Sequence, residues 1–381
     1  MQTVKDKLAW VQALRGIAVL LVVLTHARYY LLDTERWPVA NALFYPGAMG
    51  VDLFFIISGF IMVYTTAGAS GGRAALYFGI KRFARIWPVY AVVALLFIAC
   101  TRNLGQMLAD PVLRKQVVKT LALYPVDPAT APYFSLLLPT AWTLAFEMYF
   151  YLVFGLCMLA GRLRWFVFGA WMLLTLVLLP ATHGGPTSDA RSNLHFHSAY
   201  VQLATSPMIY EFVAGVLIGL LYQWRRVRIP NASLVWQLVF LAAGLPLWYA
   251  YGGIGDFHGP LNWGWPLAAM VLVLALASKT VVLRPPHWLV WVGTISYSMY
   301  LTHLLSQQVL TRLMPAWGFD IHGWGQVFLS VLLAVPVASL SYQLLELRLG
   351  GAVKNFLLRI AERLWPVRLQ AIRGGELSKT A

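Results

Sequence analysis

Apolar residues run along this chain in long blocks, not in the alternation of a strand or the single stripe of a surface helix. Ten blocks stand out, near 11–30, 47–66, 87–101, 137–160, 164–181, 207–223, 232–250, 263–278, 288–311 and 324–345. Most approach the roughly 17–25 residues that a helix needs to cross about 30 Å of hydrocarbon. A backbone in lipid must also satisfy its own N–H and C=O groups, which a helix does internally. The pattern predicts an all-α fold, a polytopic membrane helical bundle of about ten transmembrane helices. One transmembrane domain is expected over residues 1–349, followed by a tail at 350–381. The third block is short and Pro266 interrupts the eighth, so nine or eleven crossings fit as well.

Composition removes the soluble alternatives. Of 381 residues, 60% are hydrophobic and 11% charged, against roughly 25% charged in soluble domains. The net charge of +15 would suit a nucleic-acid binder, but the basic residues alternate between loops. Lys5, Lys7 and Arg15 fall on one side, with Arg73, Lys81, Arg82 and Arg85, then Arg162 and Arg164, Arg225, Arg226 and Arg228, Lys279 and Arg284, and the tail from Arg348 to Lys379. By the positive-inside rule both termini are cytoplasmic, and the basic charge faces membrane lipids, not nucleic acid. The first block carries Arg15 and His26 with no small-residue cleavage site after it, so a removable leader is not expected. Cys100 and Cys157 sit inside apolar blocks with no metal or redox spacing. The tail is basic and amphipathic through Phe356, Leu357, Ile360, Leu364 and Trp365, a pattern that lies along an anionic inner leaflet.

An ionisable side chain within a span costs at least about 2.5–3.5 kcal/mol, so the few present are candidates for function. His26, Asp52, Glu147, Glu211 and His303 come from five different blocks, and an outward-facing polar cavity would bring them together. Pairing that merely holds the bundle is the competing explanation, and it weighs most for Asp52 and Glu211, near the span ends. Arg15 and His26 are eleven residues apart. At 100° per residue that leaves both on one helix face, about 16 Å apart along the axis. This suits a long donor with a phosphorylated head and a reactive far end, such as an acyl-coenzyme A. Arg82 and Arg85 share a helix face at i, i+3 and can grip phosphate, or simply mark the cytoplasmic side. Gly47, Gly50 and the Ser58-Gly59 pair read as sites of close helix packing.

These residues stand in blocks that resemble the acyltransferase-3 family of membrane O-acyltransferases, and within it the exopolysaccharide-modifying branch. The resemblance spans nearly the whole chain. Gln12-Ala-Leu-Arg15, ten further residues and His26 resemble its first signature, and Gly50-Val-Asp52-Leu-Phe-Phe-Ile-Ile-Ser58-Gly59-Phe60 its second. Arg82-Phe-Ala-Arg85 is similar to its Arg-x-x-Arg motif. Trp142-Thr-Leu-Ala-Phe-Glu147-Met-Tyr149 and Ser296-Tyr297-Ser-Met-Tyr-Leu-Thr-His303 resemble two further blocks. Position 145 is Ala where that block often carries Asn. Some members add a fused hydrolase-like domain; this chain is expected to work alone or with a separate partner.

The resemblance implies an O-acetyltransferase of the bacterial inner membrane, with acetyl-CoA as acyl donor and a polysaccharide or lipid-linked glycan as acceptor. No metal is expected, because neither the cysteines nor the histidines show a metal-ligand spacing. In that scheme Arg15, Arg82 and Arg85 bind the donor. His26 acts as general base, its ordinary pKa of about 6.5 suiting proton transfer at neutral pH, or carries the acyl group itself. Glu147 orients or charges the imidazole, and His303, Tyr149 or Tyr297 donates to the oxyanion. Asp52, Ser58, Trp142 and Glu211 are structural or acceptor-side candidates. Trp37, Tyr133, His195, His197, Trp263, Trp317 and Trp324 offer faces to sugar rings or serve as interfacial anchors. His195 and His197 lack a third metal ligand. A transporter of polysaccharide precursors would also use many spans and buried charges, but no inverted repeats or paired broken helices are evident.

Overall fold

A computed structural model describes residues 8–102, 105, 109–316, 318 and 320–365. Lys5, Lys7, Trp317 and the end of the tail from 366 through Lys379 lie outside the described residues. Every regular element among those described is helical: α1 (Ala9–Ala27), α2 (Trp37–Phe44), α3 (Gly50–Thr65), α4 (Gly72–Thr101), α5 (Pro111–Leu121), α6 (Ala141–Leu159), α7 (Arg164–Leu173), α8 (Ala199–Ala204), α9 (Ile209–Gln223), α10 (Ala232–Tyr251), α11 (Trp265–Ala277), α12 (His287–Thr294), α13 (Ser296–Ala316), α14 (Trp324–Ser341) and α15 (Gly350–Leu364). Loop-born helices begin on polar caps, as where Asp110 accepts from the Val112 N–H and Asn231 from the Leu234 N–H.

Each of the ten apolar blocks holds a helix, and among the described residues eight helical stretches are long and apolar enough to cross a membrane. The other two differ for separate reasons. α9 has only 15 residues. The ninth block is broken at Ile295, where ψ rises to 4°, and α13 beyond it carries Ser296, Ser298, Thr302 and His303 on its buried side. The tail helix α15 continues from α14 through a π-helical segment, Tyr342–Leu349, and packs against α4. A side chain on Gly350 would meet the Ala84 carbonyl, and Trp365 covers Gly72.

Helices α10 and α7 lie at the periphery, presenting Phe240, Trp248 and Phe166 at 80, 62 and 75% exposure. Apolar surface of that extent belongs against lipid. At the centre α3 crosses α9 closely. A Cβ at Gly215 would lie 2.0 Å from the Ile56 carbonyl oxygen, and one at Gly59 would lie 2.2 Å from that of Phe212. α1 meets α12 in the same way: a Cβ at Gly293 would fall 1.8 Å from the Gln12 carbonyl oxygen. Small residues let backbones approach so that van der Waals contact holds the helices in lipid. Backbone atoms cannot step aside as a flexible side chain can. Gly215→Val is therefore expected to destabilise the bundle by about 3 kcal/mol or more, read as a lowered unfolding midpoint of the detergent-solubilised protein. An unchanged midpoint would show that α3 and α9 are not locked together here.

Candidate active site

Five helices, α1, α3, α4, α6 and α13, line a partly open cavity. Its charged lining is Arg15 from α1, Arg82 and Arg85 from α4, and Glu147 from α6, with Ser58, Tyr151, Tyr297 and Tyr300. The helical spacings assemble it. Glu147 and Tyr151, four apart, lie one above the other, and the Tyr151 hydroxyl donates to Glu147 Oε1. That same oxygen accepts from Ser58 Oγ at 3.0 Å. The Tyr151 ring in turn supports Arg82, whose guanidinium carbon sits 5.2 Å above it while one terminal nitrogen donates to Thr65 Oγ1 at 3.2 Å.

Arg15 donates only to Gln12 Oε1, at 3.2 Å, and Arg85 has no hydrogen-bond partner among the described residues. None of the three arginines forms an ion pair among the described residues. A second carboxylate, Glu346, lies within electrostatic range of Arg15 and Arg85 and accepts from Ser298 Oγ at 3.2 Å. The sequence reading missed it. The apolar block ended at 345, and the π-helical turn over Tyr342–Leu349 is what brings Glu346 toward the cavity. Three guanidiniums against two carboxylates, with no direct pair, leave a cationic chamber with N–H groups free for an anion.

His26 and His303 are close to each other but do not line this cavity. Their ring centroids are 5.0 Å apart, and His303 Nε2 lies 3.4 Å from His26 Nδ1. The backbone settles the tautomers, because a carbonyl can only accept. His26 Nδ1 sits 2.9 Å from the Val22 carbonyl, and His303 Nδ1 sits 2.7 Å from that of Tyr300. Both Nδ1 atoms therefore carry protons, and His26 Nε2 is left with a free lone pair. Between cavity and histidines stands Tyr300, 6.0 Å from the His303 ring centroid, its hydroxyl 2.7 Å from Thr143 Oγ1.

The remaining candidates form a third group. Asp52, fully buried, accepts from His258 Nδ1 at 2.7 Å and from the Gly259 N–H at 3.2 Å. Glu211 is buried on α9 within range of Asp52, with no hydrogen-bond partner at either carboxylate oxygen among the described residues. Trp142 packs edge-on against His258, with centroids 5.5 Å apart. His258 escaped the sequence reading because it lies in a loop, where a histidine carries no insertion penalty to mark it. Tyr149 accepts from Trp171 Nε1 at 2.9 Å, in the contact with α7. Tyr297 lines the cavity but donates its proton to the Ile86 carbonyl at 2.7 Å.

The single cavity expected for the five ionisable residues is thus replaced by three separate groups: Glu147 among the arginines, the histidine pair, and Asp52 with Glu211. Glu147 makes no hydrogen bond to His26. The physical reason is that the Ser58 and Tyr151 hydroxyls take up the Glu147 carboxylate on the wall of the arginine cavity, which the histidines do not line. His195 and His197 lie in the loop before α8, and no group of three metal-ligating residues occurs among those described.

Comparison with known proteins bears on this arrangement. The family profile described as an acyltransferase domain matches residues 8–343. The chain is 31% identical over 314 residues to the exopolysaccharide production protein ExoZ of Rhizobium meliloti (strain 1021), covering 80% of this chain and 91% of that one. It is 28% identical over 319 residues to nodulation protein 10 of Rhizobium leguminosarum bv. viciae, covering 78% and 81%. A longer Staphylococcus aureus (strain COL) protein, provisionally named an O-acetyltransferase, is 23% identical over 373 residues, 87% of this chain and 56% of its own length. No solved structure is significantly similar. With the profile covering nearly all of a membrane-type helical bundle, the chain belongs to the acyltransferase-3 family and is a membrane O-acyltransferase.

Proposed function

We propose that this acyltransferase moves an acetyl group from acetyl-CoA onto a hydroxyl of an exported polysaccharide or its lipid-linked precursor, in the bacterial inner membrane with both termini cytoplasmic. The observation that carries the reading is the set of three arginines without ion-pair partners among the described residues on one cavity, one of them, Arg15, sharing α1 with a histidine whose Nε2 is free. On this reading the phosphates of the donor rest on Arg15, Arg82 and Arg85. The arm that bears the thioester runs along α1 toward His26, about 16 Å away, and must pass Tyr300.

At the far end, His26 Nε2 takes the proton of the acceptor hydroxyl as that oxygen attacks the thioester carbonyl. The new C–O bond forms, the C–S bond breaks, and the imidazolium proton goes to the leaving thiolate. His303 Nε2 faces the His26 Nδ1–H and favours the charged ring while it lasts. Glu147, bonded to Ser58 and Tyr151, acts on the donor side: it fixes the ring on which Arg82 rests.

That last assignment separates two kinetic outcomes. Glu147→Ala is expected to raise the KM for acetyl-CoA about tenfold, the effect of losing roughly 1.4 kcal/mol of binding, with kcat nearly kept. A large fall in kcat at unchanged KM would return Glu147 to the histidine. The reading as a whole is tested by the O-acetyl content of the exported polysaccharide, measured by NMR in a deletion strain carrying the wild-type gene or His26→Ala at equal expression. Acetylation restored by the wild type alone supports it. Unchanged acetylation on deletion contradicts it.

A further inference from the structure

Two residues beyond His26 the chain buries a cation that has no anion. Arg28 lies in the 3-10 turn Arg28–Leu31 that prolongs α1, and it is only 6% exposed. Its guanidinium donates to neutral acceptors alone. Nε reaches Asn41 Oδ1 at 3.1 Å, one terminal nitrogen the Thr25 carbonyl, and the other the Tyr29 hydroxyl at 3.4 Å. A guanidinium has five N–H bonds, so two are left over. No described carboxylate pairs with it. Asp256, whose backbone carbonyl bonds the neighbouring Tyr45 hydroxyl, is already held by Arg191 at 3.0 Å.

Withdrawing such a group from water without an anion is unfavourable. An arginine serving only as an interfacial anchor relieves this by extending its head into water. Arg28 is instead folded beneath aromatic rings, with Tyr29, Tyr45 and Trp37 centroids 4.5, 5.3 and 5.6 Å from its guanidinium carbon. Cation–π attraction offsets part of the desolvation. Tyr29 is 51% exposed and stacks on Trp37 at 5.8 Å and 29°, offering a flat aromatic pair at the end of the bundle that holds His26.

We infer that Arg28 and its aromatic cage form the acceptor subsite for a glycan that carries an anionic group, a carboxylate or a phosphate, near the hydroxyl to be acylated. The inference rests on the reading of His26 as the centre of O-acyl transfer. The two spare N–H groups match the paired oxygens of either anion. The stacked rings suit the apolar face of a sugar. Arg28 and His26 leave the helix on different faces, but Arg28 lies within electrostatic range of the imidazole, so a glycan anchored by its anion on Arg28 can extend a neighbouring hydroxyl round the end of α1 to His26.

The test is binding of three tetrasaccharides to the purified full-length protein in nonionic detergent without anionic lipid. One carries uronic acid, the second is its carboxyl-reduced neutral form, and the third is neutral with an anomeric phosphate. At least one anionic glycan should bind roughly 30-fold more tightly than the neutral one, and which one does so identifies the anion. Arg28→Gln should abolish that preference and Arg28→Lys keep part of it, with acetyl-CoA binding unchanged in both as evidence of folding. Equal binding of all three by the wild type, or a preference that survives Arg28→Gln, would overturn the inference. So would loss of acetyl-CoA binding by both variants, which would make Arg28 a structural bracket. Arg28-dependent binding without acetyl transfer by the wild type would leave the subsite standing and reject the acetyltransferase reading.

Discussion

His26→Ala is expected to lower acyl transfer by about 10²–10⁴-fold, the usual contribution of a positioned general base, while leaving the KM for acetyl-CoA close to its wild-type value. The separation follows from distance. The arginines and Glu147 line a cavity that the histidines do not enter, so removing an imidazole leaves the donor chamber intact. His303 cannot take over, because its Nδ1–H is held by the Tyr300 carbonyl and its Nε2 faces His26. His303→Ala should therefore be the milder change, removing the partner of the His26 ring but not the base. Steady-state kinetics with labelled acetyl-CoA distinguish these cases. A His26→Ala enzyme that transfers at the wild-type rate would remove the histidine pair from the chemistry.

The second large effect is expected at Arg85. Its guanidinium has no hydrogen-bond partner among the described residues and borders the cavity, so its N–H groups are available to the donor. Charge-assisted hydrogen bonds contribute about 1.5–3 kcal/mol each. Arg85→Ala should accordingly raise the KM for acetyl-CoA by roughly 10–100-fold and leave kcat at saturating donor little changed. Arg85→Lys should recover only part, because an ammonium cannot reproduce the planar fork. Arg82 starts from a different position, already bonded to Thr65 and resting on Tyr151. Its loss should loosen the donor less than that of Arg85. If Arg85→Ala reduced membrane insertion with no change in KM, its charge would serve topology alone.

What could be read from the residues was what depends on period and partition. Ten apolar blocks gave ten helical positions because a lipid-exposed backbone has few alternatives. Arg82 and Arg85 fell together because they share one helix, and Arg15 joined them because the pattern of basic residues along the chain predicts the same end of the bundle for it. Partnerships between helices were not legible. Residue type and approximate depth point Glu147 at His26, yet the hydroxyls of Ser58 and Tyr151, on α3 and one turn along α6, hold it instead. Glu346 depended on a π-helical turn that no hydrophobic pattern announces, and His258 on a loop folding back over Asp52. Gly59 was legible as a site of close packing, whereas Gly215 and Gly293 were not singled out. Only the structure gives the crossings whose carbonyls leave no room for a methyl group.

The central claim is that a donor held by the arginine cavity delivers its acyl group through His26 to a glycan hydroxyl. The most direct measurement is transfer of label from [acetyl-¹⁴C]acetyl-CoA to a glycan acceptor by the purified protein in proteoliposomes, with wild type, His26→Ala and Arg85→Ala compared at low and saturating donor. The account predicts transfer by the wild type, a near-complete loss in His26→Ala at both concentrations, and a loss in Arg85→Ala that saturating donor restores. Label transferred equally by wild type and His26→Ala, or an Arg85→Ala defect that added donor does not relieve, would contradict it.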